Sequence, residues 1–248
     1  APFIQMFHTL AMLKNMASKG RMSMAPEQRV EAEEEIIRAT DLIVAASTLE
    51  RAQMNLFYGA PVEKIRVIPC GVDGNLFRPI PKENAREYLE LDHENILLFV
   101  GRIEPIKGLD TLLKAVALLH NDRPPGTRPL KLLLAGGDRG KGVSSASAEV
   151  TRLEHIAAGI GIKEVVKFLG PLQHEELPYY YSAADVCVLP SYYESFGLVA
   201  LEAMACGTPM IASRVGGLPY TIRDGENGCL VTEGEPVELA DKLRQILT

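Results

Sequence analysis

The chain has 248 residues, 47% of them apolar, so it is long enough for one large domain or two small ones. Its 26 basic and 32 acidic residues give a net charge of −6, which argues against a nucleic-acid-binding surface made of bulk positive charge. No apolar run approaches the roughly eighteen residues of a membrane span, so we expect no transmembrane segment.

The four cysteines, Cys70, Cys187, Cys206 and Cys229, lie far apart and form no C-x-x-C pair. Three of them sit in apolar or small-residue runs, so reduced thiols are a simpler interpretation than a zinc site or a set of disulfides. This pattern favours a cytoplasmic protein, and we expect no bound metal.

The first part of the chain predicts three strands and one helix. PFIQMFHTL, DLIVAAS and IRVIPCGVD are typical of strands, and the acidic segment EQRVEAEEEIIRAT between the first two is typical of a helix. The stretch DGNLFRPIPKENA, residues 73–85, has two prolines and no period, which indicates a linker. We therefore predict one domain over residues 1–77 and a second over residues 78–248.

In the second part, short apolar segments bounded by Gly or Pro alternate with longer segments of helical period. The predicted strands are NILLFVG (95–101), KLLLAGG (131–137), VVKFLG (165–170), DVCVLP (185–190), PMIASR (209–214) and NGCLV (227–231). The predicted helices are GLDTLLKAVALLH, AEVTRLEHIAAGIG, EELPYYYSAA, LVALEAMACG and EPVELADKLRQIL. This alternation is typical of a doubly wound α/β domain with a parallel sheet and crossover helices.

The loops after the predicted strands are the expected place for a ligand, because ligands of open α/β sheets lie beyond the carboxyl ends of the strands. These loops are GRIEPIKG, GGDRGKG, GPLQHEE and SYYESFG. Gly197 precedes a predicted helix, where free N–H groups and a small residue favour a phosphate. Arg102 and Lys107 suit a diphosphate, and a solvated loop is the alternative explanation for them.

Two glutamates, Glu194 and Glu202, flank an apolar stretch at this helix start. A carboxylate would repel a phosphate there, so both are better suited to accept hydrogen bonds from hydroxyl groups on either side of a diphosphate, as in a nucleotide sugar. The alternative is a solvated Glu194 that interacts favourably with the helix dipole and an exposed Glu202. From spacing alone, the two interpretations are about equally good.

These segments resemble retaining glycosyltransferase family 4. Residues 194–202 match its E-x7-E motif, and GRIEPIKG matches its G-R-x4-K-G diphosphate loop, which begins at Gly101. Other segments that follow the family in order and spacing are CGVDGNLFRP, LAGG, FLGPLQHEEL, YYYSAADVCVLPSYYESFG and EAMACGTPMIAS. HTLAMLKN, residues 8–15, is most similar to the branch with sucrose-phosphate synthases and the N-acetylglucosaminyltransferase of mycothiol synthesis.

The resemblance implies a GT-B fold, in which two Rossmann-like domains enclose the active site. It also implies roles on the donor side: Arg102 and Lys107 hold the diphosphate, Glu194 binds hydroxyls of the donor sugar, and Glu202 takes the ribose hydroxyls. The backbone N–H groups that approach the phosphate are those of Phe196, Gly197 and Leu198. Gly170 and Leu172 would lie against the base.

On the other side of the cleft, the resemblance implies that His8 faces the donor sugar, whereas a lone histidine is more often a satisfied core residue. Thr9 and Lys14 would contact a phosphorylated acceptor. The alternative for Lys14 is a solvated lysine at the start of a helix.

The resemblance thus implies retaining transfer of a hexosyl group from a UDP-sugar, favoured over a GDP-sugar, to an acceptor hydroxyl, with no metal or other cofactor. Because the first domain lacks its family's glycine-rich start, we expect a fragment, and the alternative function is a nucleotide-sugar-binding module without activity. We also expect an exposed sheet edge that pairs two chains. A Rossmann dehydrogenase is disfavoured because no G-x-G-x-x-G follows a strand.

Overall fold

The computed structural model describes residues 1–18, 25–137 and 145–247. Two parallel sheets form within them. The smaller sheet contains β1 (Ile4–Met6), β2 (Leu42–Ala45) and β3 (Ile65–Val67), in that order. Its helices are α1 (Ala11–Ser18), α2 (Glu27–Ala39) and α3 (Thr48–Tyr58). The register pairs Ile4 with Leu42 and Ile43 with Ile65.

The larger sheet has six parallel strands in the order β6-β5-β4-β7-β8-β9. These strands are β4 (Asn95–Val100), β5 (Leu130–Ala135), β6 (Val166–Gly170), β7 (Val186–Leu189), β8 (Met210–Ser213) and β9 (Cys229–Val231). The helices are α4 (Lys82–Tyr88), α5 (Leu109–Asn121), α6 (Ser145–Gly159), α7 (Leu177–Ala183), α8 (Leu198–Ala205), α9 (Leu218–Thr221) and α10 (Pro236–Leu247). The order reverses between β4 and β7, and such a switch point is where open α/β sheets bind ligands.

The predicted doubly wound sheet is confirmed, and each of its six predicted strands is present with ends that differ by at most two residues. Short 3-10 turns over Val62–Lys64, Pro105–Lys107 and Lys163–Val165 complete the connections. The predicted loop GGDRGKG and the segment RGKGVSSASA include residues 138–144, which lie outside the described residues.

The predictions for the first strand and for the linker were wrong in part, and some helices were not predicted. PFIQMFHTL is a strand only over Ile4–Met6, and α1 follows it. The helix α3 was not predicted, although Ser47 and Glu50 form the S-x-x-E signature and Ser47 Oγ accepts the Glu50 N–H at 3.1 Å. The predicted linker contains the start of α4, because a proline such as Pro81 is unfavourable inside a helix but not at its start. The short helix α9 was not predicted either.

Each sheet has its own buried apolar cluster. The smaller cluster consists of Phe7, Leu10, Leu13, Ile37, Ile43, Ala45, Met54, Tyr58, Ala60 and Ile65. The larger cluster is built on the strands of the six-stranded sheet, and Phe77 belongs to it, with Val72 and Leu76 packed against it. The segment between the sheets is therefore anchored on the larger one. In the part of the chain that the structure describes, no helix has the length and apolar character needed to cross a membrane.

Asp185 joins α4 to the larger sheet. Its side chain is 15% exposed, and its two carboxylate oxygens accept from Lys82 Nζ and from Arg86 Nη2, each at 2.9 Å. The Ile96 N–H also donates to Asp185, at 2.7 Å. Burial opposes ionisation, but the Ile96 hydrogen bond and the two cations outweigh it, so the pKa of Asp185 is lowered from 3.8.

Because its pKa is lower in the folded than in the unfolded state, Asp185 stabilises the fold fully above the unfolded pKa and progressively less as the pH falls through the folded one. We expect Asp185→Asn to lower the free energy of unfolding by about 2 kcal/mol at neutral pH. The difference from wild type should shrink below pH 3.8 in urea unfolding. Asp122→Asn is the control, because Asp122 also forms an ion pair, with Arg244, but its side chain is 62% exposed. A pH-independent difference would contradict this role.

Candidate active site

A cavity of about 260 Å³ lies between the two sheets, where the carboxyl ends of their strands meet. The smaller sheet contributes residues that follow β1, β2 and β3, and the larger sheet contributes those that follow β4 and β7. Nine of the predicted site residues line this cavity: His8, Thr9, Gly101, Arg102, Lys107, Glu194, Phe196, Gly197 and Leu198. The other four, Lys14, Gly170, Leu172 and Glu202, do not line it.

Lys107 and Glu194 form the shortest ion pair of the cavity wall. Nζ and Oε2 are 2.6 Å apart, and the side chains are only 14% and 18% exposed. The Tyr192 N–H donates to the Ile106 carbonyl at 2.8 Å, so the two loops are joined through their backbones as well. The alternatives of a solvated Lys107 and a solvated Glu194 are therefore wrong.

Arg102 is more accessible, with 63% of its side chain exposed, and its Nη1 donates to Glu104 Oε1 at 2.8 Å. The second oxygen of Glu104 is buried without a hydrogen-bond partner among the described residues and lies 3.6 Å from Lys14 Nζ. Lys14, in the first turn of α1, has a side chain only 21% exposed, so the alternative of a freely solvated lysine is wrong. Glu104 thus lies between cations of the two sheets.

The start of α8 faces the cavity through Phe196, Gly197 and Leu198. The turn before it is packed against a second glycine-rich turn, which the sequence analysis did not single out. The Gly217 N–H donates to the Glu194 carbonyl at 2.9 Å. An ideal Cβ on Gly216 would lie only 1.8 Å from that carbonyl oxygen. The pair of glycines that follows β8 was the sequence signal for this second turn.

His8 is exposed and lines the cavity, so the alternative of a satisfied core histidine is wrong. The chain just after it is held by Glu33, a buried residue of α2 that is 6% exposed. Glu33 Oε2 accepts from the Ala11 N–H at 2.9 Å and from the Tyr58 hydroxyl at 2.6 Å. Its Oε1 accepts from Arg29 Nε at 3.0 Å. A buried carboxylate with three donors therefore fixes the loop that carries His8.

Glu50 is a cavity residue that the sequence analysis missed. It is 5% exposed, and its Oε2 accepts the Ala46 N–H at 2.5 Å. Burial raises the pKa of Glu50, and the hydrogen bond from Ala46 opposes this rise. Burial, followed by the charge of Glu50, raises the pKa of the Cys70 thiol in the same wall. Among the described residues, no group of three or more His, Cys, Asp or Glu side chains is placed to hold a metal ion.

Glu202 lies outside the cavity lining, on α8. It is partly buried, and its Oε2 accepts from the Tyr181 hydroxyl at 2.8 Å, so the alternative of an exposed Glu202 is wrong. Gly170 ends β6, and its carbonyl accepts the Gly136 N–H at 2.8 Å. Leu172 packs against the larger apolar cluster.

Two Rossmann-like units around a cleft define the GT-B architecture, and the structural comparisons agree. The structure matches a sucrose-phosphate synthase from Thermosynechococcus elongatus with a TM-score of 0.85 and 38% identity, over 98% of this chain and 58% of that one. It also matches Anabaena HepE, solved in complex with UDP and glucose, with a TM-score of 0.81 and 26% identity, over 98% of this chain and 61% of that one.

The family model for glycosyl transferases group 1 matches residues 81–248, and the chain belongs to this family. It is 39% identical over 247 residues to the D-inositol 3-phosphate glycosyltransferase of Acidothermus cellulolyticus, an alignment that covers 99% of this chain and 54% of the relative. The chain thus spans about half the length of the curated relatives it matches. The predicted family and GT-B fold are confirmed.

Gly108, which follows Lys107, lets the two loops of the cavity wall approach each other. Its φ is +67°, and an ideal Cβ would lie 2.0 Å from the Pro190 carbonyl oxygen. We expect Gly108→Ala to lower the free energy of unfolding by about 3 kcal/mol, because backbone strain and overpacking add.

Gly126→Ala is the matched control, because Gly126 has a φ of +82° but nothing within 4 Å of the added methyl group. It should show the backbone strain alone, about 1 to 2 kcal/mol. Urea unfolding of both variants measures the difference. Equal losses would mean that the approach of the two loops does not depend on Gly108.

Proposed function

We propose that this chain binds a nucleotide sugar, with UDP favoured over GDP, and takes part in retaining transfer of the hexosyl group to an acceptor hydroxyl. The observation that carries the proposal is the set of groups in one cavity: Arg102, Lys107, Glu194 and the first backbone N–H groups of α8. Cations and free N–H groups suit a diphosphate, and a carboxylate suits sugar hydroxyls. The complex of HepE with UDP and glucose supports the choice of UDP.

On this proposal, the protein stabilises the leaving diphosphate electrostatically, since that is where negative charge develops as the glycosidic bond breaks. Arg102 supplies a planar fork and Lys107 a point charge. The N–H groups of Phe196, Gly197 and Leu198 add the positive end of the helix dipole. We propose that these groups neutralise the diphosphate without a metal or other cofactor, and that Gly101 allows its close approach to the loop.

The two walls of the cleft would act on the sugar from opposite sides. Glu194 would accept hydrogen bonds from its hydroxyl groups, while His8, on the wall of the smaller sheet, faces the reacting carbon. The cavity of about 260 Å³ is smaller than the roughly 300–1,000 Å³ of sites for drug-sized ligands. Ribose and base would therefore extend beyond it, towards Glu202 and towards Gly170 and Leu172.

We propose a phosphorylated acceptor, because the names of two relatives, D-inositol 3-phosphate glycosyltransferase and sucrose-phosphate synthase, include a phosphorylated compound. Thr9 lines the cavity beside His8 and would contact this acceptor. Lys14 would have to exchange its contact with Glu104 for the phosphate. We also propose a cytoplasmic location, which the four free cysteines support, because disulfides are rare in reducing compartments.

Arg102 provides the direct test. We expect Arg102→Ala to weaken UDP binding by about 2 kcal/mol and to leave uridine binding unchanged, because only UDP has the diphosphate. Calorimetric titration measures both affinities. Arg223→Ala is the control, since that side chain is 75% exposed and does not line the cavity. Equal losses for UDP and uridine would mean that Arg102 supports the fold instead.

Lys107 needs a double-mutant design, because Lys107→Ala alone also leaves Glu194 without its partner. Comparing Lys107→Ala with Lys107→Ala/Glu194→Ala separates loss of the phosphate contact from the cost of an unpaired buried carboxylate.

UDP binding without transfer to a phosphorylated acceptor would favour the alternative function, a nucleotide-sugar-binding module. Absence of UDP and GDP binding would exclude both functions.

We further propose that two copies pair through the edge strand β1, where Ile4 is 56% exposed and Phe3, just before the strand, is 41% exposed. Light scattering should then show a dimer, and Ile4→Lys should convert it to a monomer. Leu56→Lys is the control, because Leu56 is 74% exposed but lies on α3. A monomeric wild-type chain would contradict the proposed pairing.

A further inference from the structure

Tyr181 is a fully buried tyrosine whose hydroxyl group reaches a residue of the proposed donor site. It lies on α7 with 0% of its surface exposed, and its hydroxyl donates to Glu202 Oε2 at 2.8 Å. Glu202 itself is partly exposed. The Glu202 carboxylate is therefore held from the protein interior while the residue remains accessible to solvent.

The position of the Tyr181 hydroxyl is fixed by the packing around it. The ring lies in the larger apolar cluster and contacts the Phe77 ring, with the centroids 6.1 Å apart. Thr208 Oγ1 donates to the Tyr181 carbonyl at 2.6 Å, which ties the end of α7 to the turn before β8. A donor held in this way removes rotamer freedom from the glutamate that accepts its hydrogen bond.

The hydroxyl also remains a donor. Burial is the main cause that raises the pKa of Tyr181, and the neighbouring Cys187 and the negative charge of Glu202 add to it. Tyr181 is therefore protonated at neutral pH, and its proton is available to Glu202 Oε2.

We propose that Tyr181 is a positioning residue that orients the Glu202 carboxylate for the two ribose hydroxyls and thereby sets a preference for ribonucleotides. The inference rests on the proposed function, in which Glu202 takes the ribose. A glutamate on a helix surface samples several rotamers, and a ligand must otherwise select one of them. Pre-orientation by Tyr181 removes that cost before the nucleotide arrives.

The test compares UDP with 2′,3′-dideoxy-UDP, which lacks the hydroxyl groups that Glu202 would bind. Tyr181→Phe keeps the buried ring and removes only the donor. We expect it to reduce the ratio of UDP to dideoxy-UDP affinity by about fivefold, with the affinity for dideoxy-UDP unchanged. A merely structural role of the hydroxyl would weaken both ligands alike. Because the ratio is taken on one protein sample, a fraction of unfolded protein cannot imitate the effect.

Tyr179→Phe is the matched control, because Tyr179 lies on the same helix and stacks on Tyr88, with ring centroids 4.1 Å apart. It should leave the ratio as in wild type. Glu202→Ala should abolish the preference for UDP over 2′,3′-dideoxy-UDP. This variant tests whether Glu202 contacts the ribose hydroxyls.

The outcomes distinguish the positioning role of Tyr181 from the proposed function on which it rests. If Glu202→Ala abolishes the preference and Tyr181→Phe retains it, the inference about Tyr181 is wrong and the proposed function stands. If Glu202→Ala has no effect on the ratio, the ribose assignment of Glu202 fails, and the role of Tyr181 fails with it. If neither UDP nor GDP binds the wild-type chain, the proposed function is overturned.

Discussion

The contact on which the site depends is the ion pair between Lys107 and Glu194. The two residues are 87 positions apart in the chain, yet Nζ and Oε2 lie 2.6 Å from each other with both side chains largely buried. Burying two charges is costly unless they are paired, so the β4 and β7 loops have to stay together. Their strands are neighbours at the switch point of the larger sheet, and Gly108 leaves room for the close approach.

Two carboxylates with little solvent exposure, Glu33 and Asp185, each hold a separate segment of the chain in place. Glu33 fixes the segment after His8, and Asp185 ties α4 to the sheet. In both cases the carboxylate accepts from a backbone N–H as well as from a cationic side chain. Apolar side chains at these positions could also pack, but their contacts would not fix the direction of the neighbouring segment as hydrogen bonds do. Hydrogen-bonded carboxylates fix the position of the segments that they join, and each destabilises the fold if one of its partners is lost.

The sequence by itself determined the larger sheet and which residues of that sheet's loops come together at the cavity. Short apolar runs that alternate with segments of helical period specify parallel strands and crossover helices, and those strands were predicted to within two residues. Loops after strands must meet at one edge of such a sheet, so the sequence alone is enough to group Arg102, Lys107 and Glu194. The helices α3 and α4 were missed because a capping signature and prolines were not interpreted as helix starts.

Only the tertiary structure decided how these residues are partnered. Spacing could not distinguish a solvated glutamate from one paired with Lys107, because the pairing depends on two loops that are distant in sequence. The same holds for Glu50 in the cavity wall, Glu104 between Arg102 and Lys14, and the Tyr181 hydroxyl against Glu202. A sequence pattern reports which face an element buries, whereas a hydrogen bond between elements depends on distances that exist only once the sheets have packed.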